Sequence, residues 1–577
     1  MKLNKIFYVA IVVLGCALAA QSRAGDGTGG VTLIHMGDLH GHLIPHPSVR
    51  SDSEGQYEGG VARIYTLIEQ IRDAHPQQTL LVNTGDTLHG GAEVLFTQGA
   101  AIIGVLNEFG IDAYAVGNWD YVYGTDKFLK YFVGAQATAN WHPIIANLYY
   151  DHCPGAEDKT GQRPVVPYLI KTVNGLRIGI IGLTSERGPQ AGDPMITQGL
   201  KFTDGKAEYA RYVKEVRAQN VDLVVVISEL GLHENLTLAD QIPGADVILS
   251  SDKHEVTPKP LVSRQGTLVL EQGMDGQVVG ELSVTVVHGI VTDTKYVSHR
   301  ITEKIQENPR IAAMVEAVRA PLVAGAHFRP GAIKNPFSGA ALRLPIDTVI
   351  GQTRVALYRS NFSDELMPAV VEGSSHDFLA DAFRVMTGAQ LGSITGFRYG
   401  TVVLPGPIKL EDLYHFMPVG AQIAKGELTG AQIKKTLEGQ PQGDIGRRGE
   451  WGNGWLAGYS GLTADFNPAA PQGRRVSNIR IGGKLLNPDS SYTVGGFYYD
   501  LVPNLINRVQ AKNITVLKDT DGGVFDGTDI AKRYVESLPA QTVGPDSLPL
   551  NRIHLLAPLP KAEHGMREIQ PLGALSE

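Results

Sequence analysis

A chain of 577 residues that is 43% hydrophobic and 19% charged has ordinary globular composition and enough apolar material for two sizeable domains. Its formal charge of −8 makes nucleic acid a poor partner, because a phosphate backbone needs a basic face to bind. The cysteines, Cys16 and Cys153, are too few for a cysteine-rich metal site.

In chain order, Lys2 and Lys5 precede the apolar run IFYVAIVVLGCALAA, and QSRAGDG offers small residues before Gly25. Residues 1–24 therefore read as a removable export signal, too short to anchor the mature chain, and no membrane span is expected. A lipoprotein site would use Cys16, but Leu14 is bulky two residues before it, so soluble export to the periplasm is preferred. Removal of this segment leaves Cys153 alone and makes the chain more acidic, because Lys2, Lys5 and Arg23 go with it. Residues 25–300 alternate β-branched runs (VTLIHMGD, LLVNTGD, RIGIIGLTS, VDLVVVISE, ADVILSSD) with helical stretches such as VARIYTLIEQIRDA and YARYVKEVRAQ. That alternation predicts a layered α/β domain whose strands end in polar residues, where ligands of such sheets collect. Residues 301–345 read as a connecting helix and linker, 346–558 as a second, α+β domain, and 559–577 as a poorly ordered tail.

Three of the strand ends carry metal-ligand types. Asp38 and His40 in IHMGDLHGHL form an Asp-x-His pair, whose spacing lets a carboxylate and an imidazole converge on one cation. LLVNTGDT adds Asp86 at a second strand end and AVGNWD adds Asn118 at a third. His35, His42, His89 and His233 lie near these motifs; any could complete a site, and surrounding or surface roles are the preferred reading.

The order DLH, GD, GN, a strand ending in a ligand, then ADVILSSDKHE resembles the exported 5'-nucleotidase superfamily of dinuclear metallophosphoesterases. The resemblance implies a four-layer metallophosphoesterase-like domain followed by a 5'-nucleotidase C-terminal-like domain, with the site in the cleft between them. It also implies two divalent metals sharing Asp86. One would take Asp38, His40, Asp86 and His254; the other Asp86, Asn118, Glu229 and Asp252. Glu229 in VVVISELG and Asp252 in SSDKHE stand where the superfamily carries histidines. Four carboxylates would then cancel the charge of two divalent cations, so capture of an anionic substrate has to rest on other positive groups. Oxygen-rich coordination also moves the preference from zinc towards manganese, magnesium or iron, manganese being the expectation. The bland alternative is a decayed second position and a protein holding one metal or none.

In the superfamily the residue after the ligand asparagine is a histidine that assists the leaving group. Here it is Trp119, whose indole donates a hydrogen bond but does not shuttle protons near neutral pH. An alcohol leaving group needs protonation and a sulfur leaving group needs far less, so Trp119 argues against phosphomonoester chemistry. GNWDYVYG and SITGFRYGTVVLPGPIKLEDL resemble two motifs of the SoxB-type thiosulfohydrolases of bacterial sulfur oxidation, a likeness that runs over about residues 30–535. It implies that Arg398, with its planar fork of donors, binds a sulfonate or phosphoryl group and that Tyr399 or Trp119 lines a narrow entrance. Arg398 and Trp119 would be catalytic; Arg398, Tyr399 and Asn118 would bind substrate.

The expectation is a periplasmic two-metal hydrolase. Water activated by the metals would attack the terminal sulfonate of a cysteine S-thiosulfonate, carried on the flexible arm of a sulfur-carrier protein, and release sulfate. A 5'-nucleotidase or related phosphoesterase is the alternative enzyme; Phe497, Tyr498 and Tyr499 in YTVGGFYYDL could stack on its base, though core packing or an entrance wall is preferred for them. The loop WGNGWLAGYSG reads equally as a partner-recognition loop or a covered turn. A non-catalytic relic that binds a partner is the remaining alternative.

Overall fold

The computed structural model describes residues 27–48, 55–152, 159–191, 195–357, 371–394, 402–445, 458–520, 522–559 and 563–565. Arg398, Tyr399, Cys16, Cys153, residues 446–457 and the expected signal lie outside the described residues.

Two β-sheets lie face to face in the N-terminal part. The first contains β1 (Gly29–Met36), β2 (Thr79–Asn83), β3 (Ala113–Tyr114), β10 (Val278–Val287) and β11 (Ile290–Arg300), in the order β11-β10-β1-β2-β3. The second contains β4 (Tyr168–Val173), β5 (Leu176–Leu183), β6 (Leu223–Ser228), β7 (Val247–Ser250), β8 (Leu261–Val262) and β9 (Leu268–Glu271), in the order β8-β9-β7-β6-β5-β4. β1 runs parallel to β2, and β5, β6, β7 and β9 are mutually parallel. Strands such as LVVVIS are apolar throughout because both of their faces are covered. Val31, Leu33, Val82, Ile178, Val225 and Leu249 belong to the core shared by the two sheets. α1 (Val61–Ala74) closes the outer face of the first sheet through Ile64, Leu67, Ile68 and Ile71. α3 (Lys206–Arg217) and α4 (Leu232–Gln241) close the second through Tyr209, Val213, Val216, Leu232 and Leu238. The result is four layers, helix-sheet-sheet-helix, with the parallel strands of both sheets ending on one edge.

Residues 301–345 do not form a detached connector. Their helix α5 (Pro309–Arg319) starts at Asn308, whose side chain accepts from the backbone N–H of Arg310 and Ile311. Ile311 and Val315 join the N-terminal core, while Leu322 and Leu342 join the core of the following domain. That domain is α+β: α6 (Ser374–Thr387) packs on a sheet of β12 (Leu391–Ile394), β13 (Gln422–Thr429), β14 (Gly458–Ser460), β15 (Ser491–Tyr498) and β16 (Lys512–Val516), in the order β14-β12-β15-β13-β16. The helix α7 (Leu410–Phe416) faces back to the N-terminal part, where α2 (Ala92–Thr97) meets it. Ala92, Leu95 and Phe96 enter the second domain's core, with the Phe96 and Tyr414 ring centroids 5.2 Å apart. Arg319 clamps the junction, its guanidinium reaching Glu93 at 2.5 Å and Glu411 at 2.6 Å.

Candidate metal centre

The turns that follow β1, β2, β6 and β7 carry Asp38 and His40, Asp86, Glu229, and Asp252 and His254. Asp38, His40, Asp86, Asp252 and His254 all have positive φ, between 45° and 85°. Non-glycine residues accept that strain, of order 1–3 kcal/mol each, where tight turns aim several side chains at one point. Gly117 shows how tight the packing is, since a Cβ there would lie 2.2 Å from the Asp86 carboxylate.

These side chains converge. Ligand atoms of Asp38, His40 and His254 lie within 4.8 Å of one another, and so do those of Asp38, Asp86 and Glu229. His40 Nε2 is 3.9 Å from Asp38 Oδ1 and 3.7 Å from Asp86 Oδ2. Asn118 borders the second group, its backbone N–H donating to Glu229 Oε2 at 3.3 Å. Trp119 donates its backbone N–H to Asp86 Oδ1 at 2.8 Å, while its indole stacks on His89 with centroids 4.0 Å apart and planes 8° apart.

The electrostatics ask for cations. Burial raises the Asp38 carboxyl well above the carboxylate range, His40 pulls it back, and Asp86, Glu271 and Asp252 push it further up. Burial also raises Glu229, reinforced by Asp86, Asp252 and Asp38 and opposed by Arg187. His40 goes the other way: burial disfavours its charge, but the hydrogen bond to Asp275 and the nearby Asp86 and Asp38 carboxylates outweigh that and lift it to about 10. Among the described residues, the buried oxygens Asp38 Oδ1, Asn118 Oδ1 and Glu229 Oε1 have no hydrogen-bond partner, a costly arrangement unless a cation completes it. The donor set, mixed oxygen and imidazole, therefore fits divalent ions. The two ligand groups share Asp38, where the resemblance made Asp86 the shared ligand; Asp86 is within reach of both through His40.

Asp252 lies in the same pocket with its carboxylate in ion pairs. It pairs with Arg187, and its Oδ2 is 3.2 Å from Lys253 Nζ. Its backbone N–H donates to Asp38 Oδ2 at 3.0 Å.

Several functional residues escaped the sequence reading. Asp120 accepts from the backbone N–H of Thr87, Leu88 and Gly117 at 2.8–2.9 Å and from the Tyr114 hydroxyl, and so fixes the turns carrying Asp86 and Asn118. Asp275 takes His40 Nδ1 at 3.0 Å, which leaves Nε2 directed at the carboxylates. Arg187 and Lys253 set two positive charges beside these acids, both paired with Asp252. The only sequence signal for them is a charged residue soon after a strand in SERG and SDKH. Of the reserve histidines, His35 bonds Thr84 Oγ1 at 3.0 Å and His233 Nε2 lies 3.6 Å from Glu234; His42 joins a different cluster, taken up below. Phe497 packs against Phe383 at 5.4 Å and Tyr498 sits in the second domain's core.

Residues 349–503 match the 5'-nucleotidase C-terminal domain. Over nearly the whole chain, the crystal structure of a 5'-nucleotidase precursor from Thermus thermophilus superimposes with a TM-score of 0.73, covering 92% of this chain and 99% of that one at 23% identity. The fold is that of the 5'-nucleotidase superfamily. The structure of the Thermus thermophilus sulfate thiohydrolase SoxB superimposes with a TM-score of 0.75 at 18% identity, covering 92% and 98% of the two chains. In sequence, the 5'-nucleotidase of Vibrio cholerae is 29% identical over 590 aligned positions, spanning 93% of this chain and 96% of its own. The probable 5'-nucleotidase of Treponema pallidum is 23% identical, spanning 76% and 79%. No helix among the described residues is long and apolar enough to cross a membrane.

Proposed function

We propose that this protein is a metal-dependent hydrolase of the 5'-nucleotidase and phosphoesterase kind, acting on an anionic ester or anhydride. One observation carries the reading: Asp38, Asp86, Asn118, Glu229, His40 and His254 meet in one buried pocket with carboxylate and amide oxygens left for a cation. Relatives named as 5'-nucleotidases, matched over 79% and 96% of their own length, support the same reaction class. Metal ions bound there would polarise the substrate and activate water. The chain's own residues supply the rest. Asp275 holds the His40 ring in one orientation, and Asp120 fixes the Asp86 and Asn118 turns. Arg187 and Lys253, braced on Asp252, offset that carboxylate and bring positive charge to a site otherwise crowded with acids.

A second reading is favoured by Trp119. The indole stacks flat on His89, and burial keeps His89 well below the ordinary histidine range, hence neutral. Neither ring offers an acidic proton to a departing alkoxide, so substrates with better leaving groups are preferred: a phosphoanhydride, or the sulfur of a cysteine S-thiosulfonate on a carrier protein. In that second case the reaction releases sulfate, manganese is the expected metal, Arg398 and Tyr399 would meet the sulfonate, and the site works in the periplasm.

The deciding experiment offers the manganese-loaded protein AMP, ADP and a thiosulfonated carrier peptide, and measures phosphate and sulfate separately. Phosphate release from ADP or AMP that disappears in Asp86→Asn supports the phosphoesterase. Sulfate release alone moves the assignment to the thiosulfohydrolase. No release of either anion by a metal-replete protein would leave only the non-catalytic binding protein.

A further inference from the structure

Beside the metal centre lies a second cluster, of which this chemistry uses only Asp275 Oδ1. His42 and His46 follow β1, Asp275 lies in the loop before β10, and His415 comes from the last turn of α7 in the other domain. Ligand atoms of His42, His46 and Asp275 lie within 4.8 Å of one another. The His42 ring is 4.3 Å from His46 and 4.7 Å from His415, centroid to centroid. None of the four is more than 9% exposed.

The hydrogen bonding of this cluster does not close. Asp275 Oδ1 already serves His40 at 3.0 Å and lies 3.5 Å from His42 Nε2. Among the described residues, His42 Nε2, His415 Nδ1 and Asp275 Oδ2 have no hydrogen-bond partner. His46 faces two carbonyls, those of Pro47 at 3.2 Å and Asp275 at 3.1 Å, and a neutral imidazole has one N–H to donate, so it cannot satisfy both. A neutral imidazole keeps one ring nitrogen free to accept or to ligate. Two buried imidazoles and a carboxylate converge, and the third imidazole, His415, lies against the His42 ring; with three polar atoms of this cluster unsatisfied, it forms a donor set for a first-row ion of the zinc type.

We propose that His42, His46, Asp275 and His415 form a third metal site, imidazole-rich and separate from the oxygen-rich centre, which staples the C-terminal domain to the turn bearing His40. The two kinds of site differ in chemistry, since carboxylates favour manganese or magnesium and imidazoles favour zinc. They share one residue: Asp275 orients His40 through Oδ1 and retains Oδ2 for the third ion.

The test is metal content of the full chain, independent of any turnover. Wild type, the double variant His42→Ala/His46→Ala, the shape-preserving His415→Gln and the centre variant Asp86→Asn are equilibrated with zinc and manganese, desalted and analysed for both elements. The expected result is a loss of about one zinc equivalent in the double variant and in His415→Gln with manganese unchanged, and the reverse in Asp86→Asn. A zinc-selective chelator should also lower the melting temperature of wild type and leave His415→Gln unmoved. If the double variant does not fold, His415→Gln decides alone. Equal zinc in wild type and His415→Gln, or zinc lost only with Asp86→Asn, overturns the site.

Discussion

At the scale of single residues, the chemistry of the pocket turns on what surrounds each acid rather than on the acids themselves. Under the proposed reaction Trp119 would stand where a proton reaches a leaving alkoxide, and its indole gives hydrogen bonds without giving up protons. Replacing Trp119 with histidine should therefore raise AMP hydrolysis by roughly a hundredfold, the usual worth of a positioned general acid. Unchanged AMP turnover by a folded, metal-loaded Trp119→His would show that the proton comes from elsewhere. Arg187, about a fifth exposed and paired with the buried Asp252, is the second test. Arg187→Gln should keep its bound metal but raise KM or the inhibition constant of inorganic phosphate roughly tenfold, about 1.4 kcal/mol. Phosphate inhibition that stays at the wild-type value would confine Arg187 to bracing Asp252.

At the scale of elements, the ends of strands and helices do most of the placing. β1, β2, β6 and β7 end on one edge, and the turns after β1, β2 and β7 carry left-handed residues that swing a ligand inward. Helix α8 (Gly527–Ser537) shows the same economy in the second domain: Asp526 caps it by accepting from the N–H of Asp529 at 2.9 Å and also accepts from Asn335 at 3.2 Å. Burial, with the neighbouring Asp529 carboxylate, pushes Asp526 up to about 8. A carboxyl whose folded value is raised binds its proton more firmly folded than unfolded, so its contribution is complete below the ordinary carboxylate range and is lost as pH climbs towards 8. Urea unfolding at pH 5, 6.5 and 8 should show stability falling across that window. The fall should be smaller in Asp526→Asn, a neutral mimic; parallel profiles would remove Asp526 from the account.

At the scale of the whole molecule, the two domains are joined by contacts that are buried and specific. Arg319 binds Glu93 of α2 and Glu411 of α7, and among the described residues Glu93 has no other cation. Arg319→Met should cost about 3–5 kcal/mol, because it strands a buried carboxylate rather than deleting a pair. Calorimetry should then show the single transition broadening or splitting as the domains uncouple, whereas a cost under about 1 kcal/mol would mean that Arg319 behaves like a surface pair.

The sequence by itself determined the layered α/β then α+β order and the polar strand ends carrying Asp38, His40, Asp86, Asn118 and Glu229. Those features are local: they follow from the period of apolar residues and from which side chain comes next after a strand. Tertiary structure alone decided that Asp252 turns its carboxylate to Arg187 and Lys253, that Asp275 orients a histidine 235 positions earlier, and that His415 lies against His42. Those pairings join loops remote in the chain, whose meeting depends on how two sheets stack and two domains dock, and no spacing within either segment encodes it.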